Sequence, residues 1–520
     1  MDDLLVALAG NTALPPALVD RLIGLADEEL ARDLAYRSDL TPAQVRVLAT
    51  RFEGAAIVLA REGRLSAEDF SGNGPGTAGE TAATWTYVEL ALLDEGRGRP
   101  EWARRLTAEP SSEIRQELAA CPGLPADVVA ALAADPDPEV VAELALHTTD
   151  PELLGRLAAH RHAEVRVMVA VNRATPPASL AALVANEPPP EACLVCEREP
   201  IPFVHDPHCL RTDCTLPPGA ACDGSHESTI HRIRRQAVDN LATPVSALVR
   251  FAEDPSTFLR WAFAARPDLP VEAAERLADD PISGVRGDLA ENPALPVALL
   301  RRMAGDQTHE VRRRLAHNPA VPLDVLAELA GTTRIGPTLL PRVATATDEE
   351  LRQLAASANP EVRMLLAVRR DLPADVRDGL AGDPDAKVVA AVAGHPGLSA
   401  ARLAAMVAAH GVRVIGRVAA NPDATADLLL DLARREPRVP KALREIARHP
   451  HADAAALEHC LADTQARPIA AGHPALPPDR VAALLTDADP QVAESAAGNP
   501  SLPVAEMARL IDAAVSDPVR

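Results

Sequence analysis

A phrase of the form DPxxxVRxxLAxNPxLPxxLLxxLAxD returns about every 26 residues and constrains this chain more than any other feature of its sequence. Three successive copies open at Asp254, Asp280 and Asp306. One reads DPISGVRGDLAENPALPVALLRRMAGD and the next DQTHEVRRRLAHNPAVPLDVLAELAG. A fixed period of this size builds stacked supersecondary units, each touching only its neighbours, rather than a globule around one closed core. The length of 520 residues would normally divide into several domains, but a stack has no such limit.

The phrase has readable mechanics. Its opening Asp-Pro is expected to place an N-cap ahead of a proline at the first helical position. VRxxLA then carries apolar residues at helical spacing. Asn-Pro ends the helix, because the residue before a proline is pushed out of the α region; Asn292, Asn318, Asn421 and Asn499 are examples. Leu-Pro leads into a second helix, LPxxLLxxLA. Each unit is therefore predicted to be two short helices joined by proline turns, with no strand signal. Aromatics make up only 2% of the chain against 47% hydrophobic residues, so the core must be built from Ala, Leu and Val, which let helices approach closely.

The VRxxLAxNPxLPxxLLxxLA frame resembles the leucine-rich-repeat variant family over most of the chain outside 66–108 and 190–228. The resemblance implies a right-handed superhelix of alternating α and 3-10 helices, and it implies no catalytic residues. The fold class expected is thus all-α, a right-handed α-solenoid of two-helix repeats about 24–26 residues long, interrupted by a small cysteine-rich module. The expected organisation is N-terminal repeats over 1–65, an irregular Gly-rich insertion over 66–108, repeats over 109–190, a Cys/His-rich insertion over 191–228 and repeats over 229–520. The stretch SGNGPGTAGE lacks a following Lys-Ser/Thr, so it is read as a linker and not a phosphate-binding loop. A second weak patch lies at 332–350.

Stacking turns repeat positions into columns. Arg115, Arg166, Arg286, Arg312 and Arg363 form one, preceded two places earlier by Glu113, Glu164, Glu310 and Glu361. Residues two apart do not face each other on a helix, so pairing between neighbouring repeats, as a surface ladder, is the expectation, with a ligand-binding stripe as the other reading. The asparagines are expected to cap turns. Cys121 stands where an asparagine normally stands, and Cys460 lies in an apolar helix; both are read as small buried fillers. His317, His395 and His473, in turns before Asn-Pro or Pro, are read as structural.

Chemistry is visible in one place. The segment CLVCEREPIPFVHDPHCLRTDCTLPPGAACDGSH carries Cys193, Cys196, Cys209, Cys214, Cys222, His205, His208 and His226. A CxxC pair sets two thiolates on one knuckle, the usual first half of a tetrahedral metal site. A segment this short and this poor in apolar residues needs a staple, and exposed free thiols are an oxidation liability. The candidate ligands are Cys193, Cys196, Cys209, Cys214, Cys222 and His226. Thiolate-rich sites suit zinc and iron–sulfur clusters alike. Histidine ligation fits zinc, and the donors suffice for two ions. A resemblance favours iron–sulfur: some leucine-rich-repeat variant proteins carry a [4Fe-4S] module before their repeats, and Cys193, Cys196, Cys214 and Cys222 match its quartet, although here the segment is internal and Cys209 is extra. Residues 222–226 also spell the motif of the CDGSH iron–sulfur family, but Cys209 and Cys214 lack that family's spacing.

The formal charge of −22 disfavours nucleic acid as a partner, since phosphates are bound by basic footprints. Lysine occurs only at 387 and 441, so arginine supplies nearly all of the 52 basic residues; with the Ala/Pro richness this points to a GC-rich bacterial genome. The opening MDDLLVALAG has no basic leader region, and no apolar run is long enough to span a bilayer; a cytoplasmic protein is expected, in which cysteines serve as thiols or metal ligands. With no nucleophile–base pair, phosphate loop or paired carboxylates, the sequence reads as a non-enzymatic protein-interaction scaffold with a metal-stapled insertion, zinc or iron–sulfur. The alternative is a redox or metal sensor whose cluster controls a hinge between two solenoid halves and so the binding of a partner. A metalloenzyme, with Glu197, Glu199, Asp206 or Asp223 as base, is a third reading.

Overall fold

A computed structural model describes residues 2–70, 85–185, 203–204, 221–222 and 229–515. The repeat opened by Asp280 shows how the unit is built. The Asp280 carboxylate accepts the N–H of Ile282 at 2.8 Å and closes a turn ahead of the helix Ser283–Glu291. The N-cap position itself falls to Ile282, so the expectation that Asp-Pro caps the helix is corrected here: the aspartate lies outside it. Where a second Asp follows, as at Asp137, Asp385 and Asp489, that residue is the N-cap and accepts the N–H two places on. The first helix buries Val285, Leu289 and Ala290, and the second, Val297–Met303, buries Leu299, Leu300 and Met303. Full burial of each such side chain stabilises the fold by roughly 1.5–3 kcal/mol.

First helices of successive repeats pack side by side, and second helices stand further apart over most of the chain. A stack spaced more closely on one layer curves toward that layer, so first helices line the inner face and second helices the outer. On Pro138–His147 the solvent-facing stripe is Glu139, the half-buried Glu143 and His147, at helical spacing. The second helices are mainly α, with short 3-10 pieces at Ala67–Phe70, Val249–Glu253 and Gly411–Arg413. Runs such as VALLRRM are long enough, and rich enough in good helix formers, to complete α turns.

Chain direction puts the end of every first helix on one rim of the stack, and there one column holds the repeats together. Asn318 donates through Nδ2 to the carbonyls of Ala290 and Asn292 in the preceding repeat, at 2.8 and 2.7 Å. Its Oδ1 accepts the N–H of Ala320 within its own turn. Asn292, Asn421 and Asn499 repeat the pattern. The column continues where asparagine is absent. His449 and His473 donate through Nε2 to Asn421 and His449 carbonyls, while Nδ1 accepts the N–H two residues on. His395 donates to Ala367. Arg37 and Arg369 each reach two carbonyls of the preceding repeat and Arg266 reaches four, and each is clamped by an aspartate two residues later, Asp39, Asp371 and Asp268. Arg266 is 2% exposed, so its guanidinium is a core group held by full hydrogen bonding.

The opposite rim carries a second column. Arg286 pairs with Asp306 at 2.7 Å and donates to the Asp280 carbonyl. Arg115–Asp135, Arg260–Asp280 and Arg363–Asp383 pair likewise. Arg115, Arg286 and Arg363 of the arginine column thus pair with the aspartate that opens the following repeat, not with a glutamate of a neighbouring repeat. The pairs are also largely buried, at 11% and 6% for the Arg115 and Asp135 side chains, rather than a surface ladder. Burial raises the carboxyl groups of Asp135, Asp306 and Asp383, but the arginine hydrogen bond and the amide two residues on outweigh it, so all three lie below the usual carboxylate value.

The stack closes on itself. Asn11 of the first repeat donates to the carbonyls of Ala497 and Asn499 in the last, at 3.0 and 2.8 Å, as each Asn does to the repeat before it. The helix Asp2–Ala9 packs against Pro490–Ala497, Pro16–Leu25 packs against Val504–Val515, and Arg21 pairs with Asp512. The expected superhelix is therefore a ring, and the rim column carries across its seam.

Two interruptions differ from expectation. Within 66–108, the helices Thr86–Asp94 and Pro100–Leu106 take their places in the two layers, and Arg97 reaches back to the carbonyls of Ala60 and Leu65. The Cys/His-rich insertion leaves the stack continuous: Asn240 donates to Ala170 and Asn172 across 70 and 68 residues, where 28 and 26 are usual. The repeats on either side of it bond and pack directly. Its described part is a two-residue antiparallel ribbon, Phe203–Val204 against Ala221–Cys222, a strand pair that the sequence did not announce. Among the described residues no helix is long and apolar enough to cross a membrane.

Two outcomes follow from the rim columns. Replacing Asn11 by Ala and Gly498, whose Cα faces the Ala7 carbonyl, by Trp should open the seam. Small-angle scattering should then show a larger maximum dimension with unchanged helical circular dichroism. Burial holds His395 and His473 below their ordinary value of 6.5. The folded state refuses protons that the unfolded chain takes up, so stability is lost as pH falls below about 6.5. The variant H395N/H473N keeps the cross-repeat donor and removes the titration. Between pH 7.5 and pH 5.5 it should lose less stability than the native chain, by up to about 1 kcal/mol per histidine in denaturant titrations.

Candidate functional site

The sequence-predicted ligands Cys193, Cys196, Cys209 and Cys214, with His205, His208 and His226, lie outside the described residues. Cys222 is described in its backbone alone, in the ribbon, where it stands opposite Phe203. Among the described residues no cluster of His, Cys, Asp and Glu suits a metal ion. Cys121 and Cys460 are buried. Burial pushes each thiol up to about 12, as befits packing groups. Cys121 stands in the asparagine column with Sγ 3.9 Å from the Leu90 carbonyl. His395 and His473 belong to the column itself, whereas His317 sits one residue before it, with Nδ1 3.0 Å from the Arg313 carbonyl.

The candidate site lies on the inner face, where a first helix is cut short. The helix Leu323–Thr332 ends normally, and by the repeat the next first helix should begin near residue 335. The chain reads RIGPTLLP there. Gly336 adopts φ 88°, a left-handed conformation suited to glycine, Pro337 follows, and Pro341 postpones the helix to Pro341–Ala344. That helix has 4 residues, against 7 in His309–Leu315 and 8 in Pro360–Ala367 on either side. The repeat also lacks the rim aspartate, and Arg312 bonds Thr333 Oγ1 instead, at 3.1 Å.

The missing turns leave a notch of about 600 Å³ in the inner wall. Its floor is Met364, Ala390 and Ala391, with Ala330 and Gly331 at the side. Arg334, Lys387 and Arg417 surround it, with Glu361 as the one carboxylate of its lining. Lys387 Nζ is 2.7 Å from Glu361 Oε1, and this hydrogen bond raises the ammonium above its usual value against the opposing charge of Arg334. Among the described residues neither Arg334 nor Arg417 has a carboxylate partner, so two guanidinium groups are left over at the rim of an apolar floor. The sequence marked 332–350 as a weak repeat; its Gly-Pro and Leu-Pro breakers were the signal, but the notch needs the neighbouring helices to be seen.

In the Arg column, for which a ligand-binding stripe was the other reading, Arg115, Arg286 and Arg363 are taken up by the rim pairs, Arg312 bonds Thr333, and Arg166 donates to the His160 and Arg161 carbonyls. Of the glutamates beside it, Glu164 and Glu361 reach the following repeat, at Arg232 and Lys387, whereas Glu310 pairs within its own helix with Arg313.

No protein-family model matches the chain, and no curated protein matches it in sequence. Among solved structures, it is similar to a leucine-rich repeat variant described as having a novel repetitive structural motif, with 18% identity over 54% of this chain and 87% of that one, at a TM-score of 0.30. SYS-1 matches with 11% identity over 94% of this chain and 99% of its own, at a TM-score of 0.17. The Pds5–Scc1 complex matches with 12% identity over 92% of this chain and 62% of that one, at a TM-score of 0.14.

Proposed function

We propose that this chain is a non-enzymatic protein-interaction scaffold, a closed ring of repeats that holds a protein partner on its inner face, with a metal-binding Cys/His-rich insertion. The observation that carries the reading is the closure of the stack. It joins the first described repeat to the last and leaves one continuous inner wall of exposed side chains. Solenoids use such concave walls for binding. The overall charge of −22 sets this partner apart from nucleic acid.

In the module, Cys193, Cys196, Cys209, Cys214, Cys222 and His226 are the ligands we assign, to zinc or to an iron–sulfur cluster such as [4Fe-4S]. The donor chemistry of the segment supports the assignment. The ribbon between Phe203 and Cys222 supports it too, since it draws the two ends of that stretch of backbone together. Because the repeats bond directly across the insertion, the metal serves the module and not the ring.

Two measurements test this. A photo-crosslinking residue placed at Glu139, on the inner stripe, should capture discrete partners in cells, and one at Asp479, on the outer helix Pro478–Leu484, should not; equal labelling from both would sink the scaffold reading. Purified protein should carry one or two zinc ions, or iron with a broad absorption band near roughly 400 nm. The C193S/C196S variant should lose that metal while the ring's thermal midpoint stays within about 2 °C. Metal-free native protein would remove the module from the proposal.

A further inference from the structure

The notch carries more than a general binding surface, because its two halves are chemically different. One half is apolar and built from small or flexible side chains, Met364, Ala390 and Ala391. The other presents Arg334 and Arg417, neither of them neutralised by a carboxylate among the described residues, although the chain carries 74 acidic residues against 52 basic ones. Lys387 is held by Glu361, so the charge left for a ligand is that of the two arginines. Guanidinium groups bind carboxylates through paired, charge-assisted hydrogen bonds, and an alanine-floored hollow beside a methionine accepts a branched aliphatic or aromatic side chain.

We infer that the notch binds an acidic peptide segment of the protein partner, with carboxylates on Arg334 and Arg417 and a neighbouring apolar side chain over Met364, Ala390 and Ala391. A small free anion fits less well. The hollow spans three successive first helices and opens onto the inner face, whereas small-ligand sites enclose most of their ligand. This inference rests on the inner face being the interaction surface and names the chemistry of what it receives there.

The experiment uses the full chain and immobilised 12-residue peptides in which Glu, Gln or Lys alternates with Leu or Ser. The native chain should bind the Glu/Leu peptides and discriminate against Lys/Leu and Glu/Ser. R334E/R417E should bind Glu/Leu about tenfold more weakly per arginine replaced and gain affinity for Lys/Leu. M364A, with folding checked by circular dichroism, should lose the preference for Leu over Ser. Equal binding of Glu/Leu and Lys/Leu by the native chain overturns the inference, and so does an unchanged profile in R334E/R417E. Displacement of the peptide by millimolar citrate, with the same dependence on the arginines, overturns it in favour of a small-anion site. Crosslinking from Glu139, remote from the notch, reports on the scaffold separately, so adducts there with no peptide preference reject this inference and leave that reading standing.

Discussion

Much of this ring depends on one hydrogen-bonding problem, solved the same way in most repeats. Each first helix ends in a proline turn, which leaves backbone carbonyls without partners at a place that stacking buries. A buried carbonyl left unmade costs about 1–3 kcal/mol. The next repeat supplies a side-chain donor at the right height, and the same side chain ties down its own turn. Asparagine does both with one amide. At 449 and 473 histidine does both with its two ring nitrogens, whereas His395 supplies only the cross-repeat donor. Arginine meets the carbonyls with its guanidinium and delegates the rest to an aspartate two residues on. The spacing of 26 residues between members is therefore the distance along the chain at which this bond can be made again.

How much was legible follows from what each signal encodes. The two helices per repeat, their proline turns and the Ala/Leu/Val core are local pattern, and the phrase spells them out. The asparagine column was visible as Asn-Pro, yet its Arg37, Arg266, Arg369, His395, His449 and His473 members were not recognised, because geometry is kept there while residue type is not. The period alone could have found them: Arg266 lies 26 residues before Asn292, and His395 lies 26 before Asn421. The partner of the arginine column was misjudged for a related reason. Pairing between neighbouring repeats was expected with the glutamate column, whereas stacking brings up an aspartate 20 residues ahead. Closure was not legible at all, since it sums a small rotation per repeat that no single copy of the phrase specifies. The notch was half legible: Gly336, Pro337 and Pro341 announce a damaged helix, but the unpaired arginines become a site only once Arg417 is brought alongside.

The insertion after Ala185 shows how tolerant such an architecture is. Its ends return to adjacent places in the stack, so the wall is bonded as if the extra residues were absent, and the entropy of closing a longer loop grows only slowly with length. A module attached in this way is free to carry its own chemistry without taxing the stability of the wall.

Closure also changes what evolution can do with the repeat. An open solenoid lengthens or shortens by whole units, and its end units must be modified to face water. Here the donor of Asn11 and the carbonyls of Ala497 and Asn499 meet only if the rotations of all intervening units add to one full turn. Duplication or loss of a single unit would leave them misaligned. The number of repeats is thus fixed by arithmetic, and variation is driven out of the wall into places that leave the turn unchanged: loops looped out from it, and single units cut short within it.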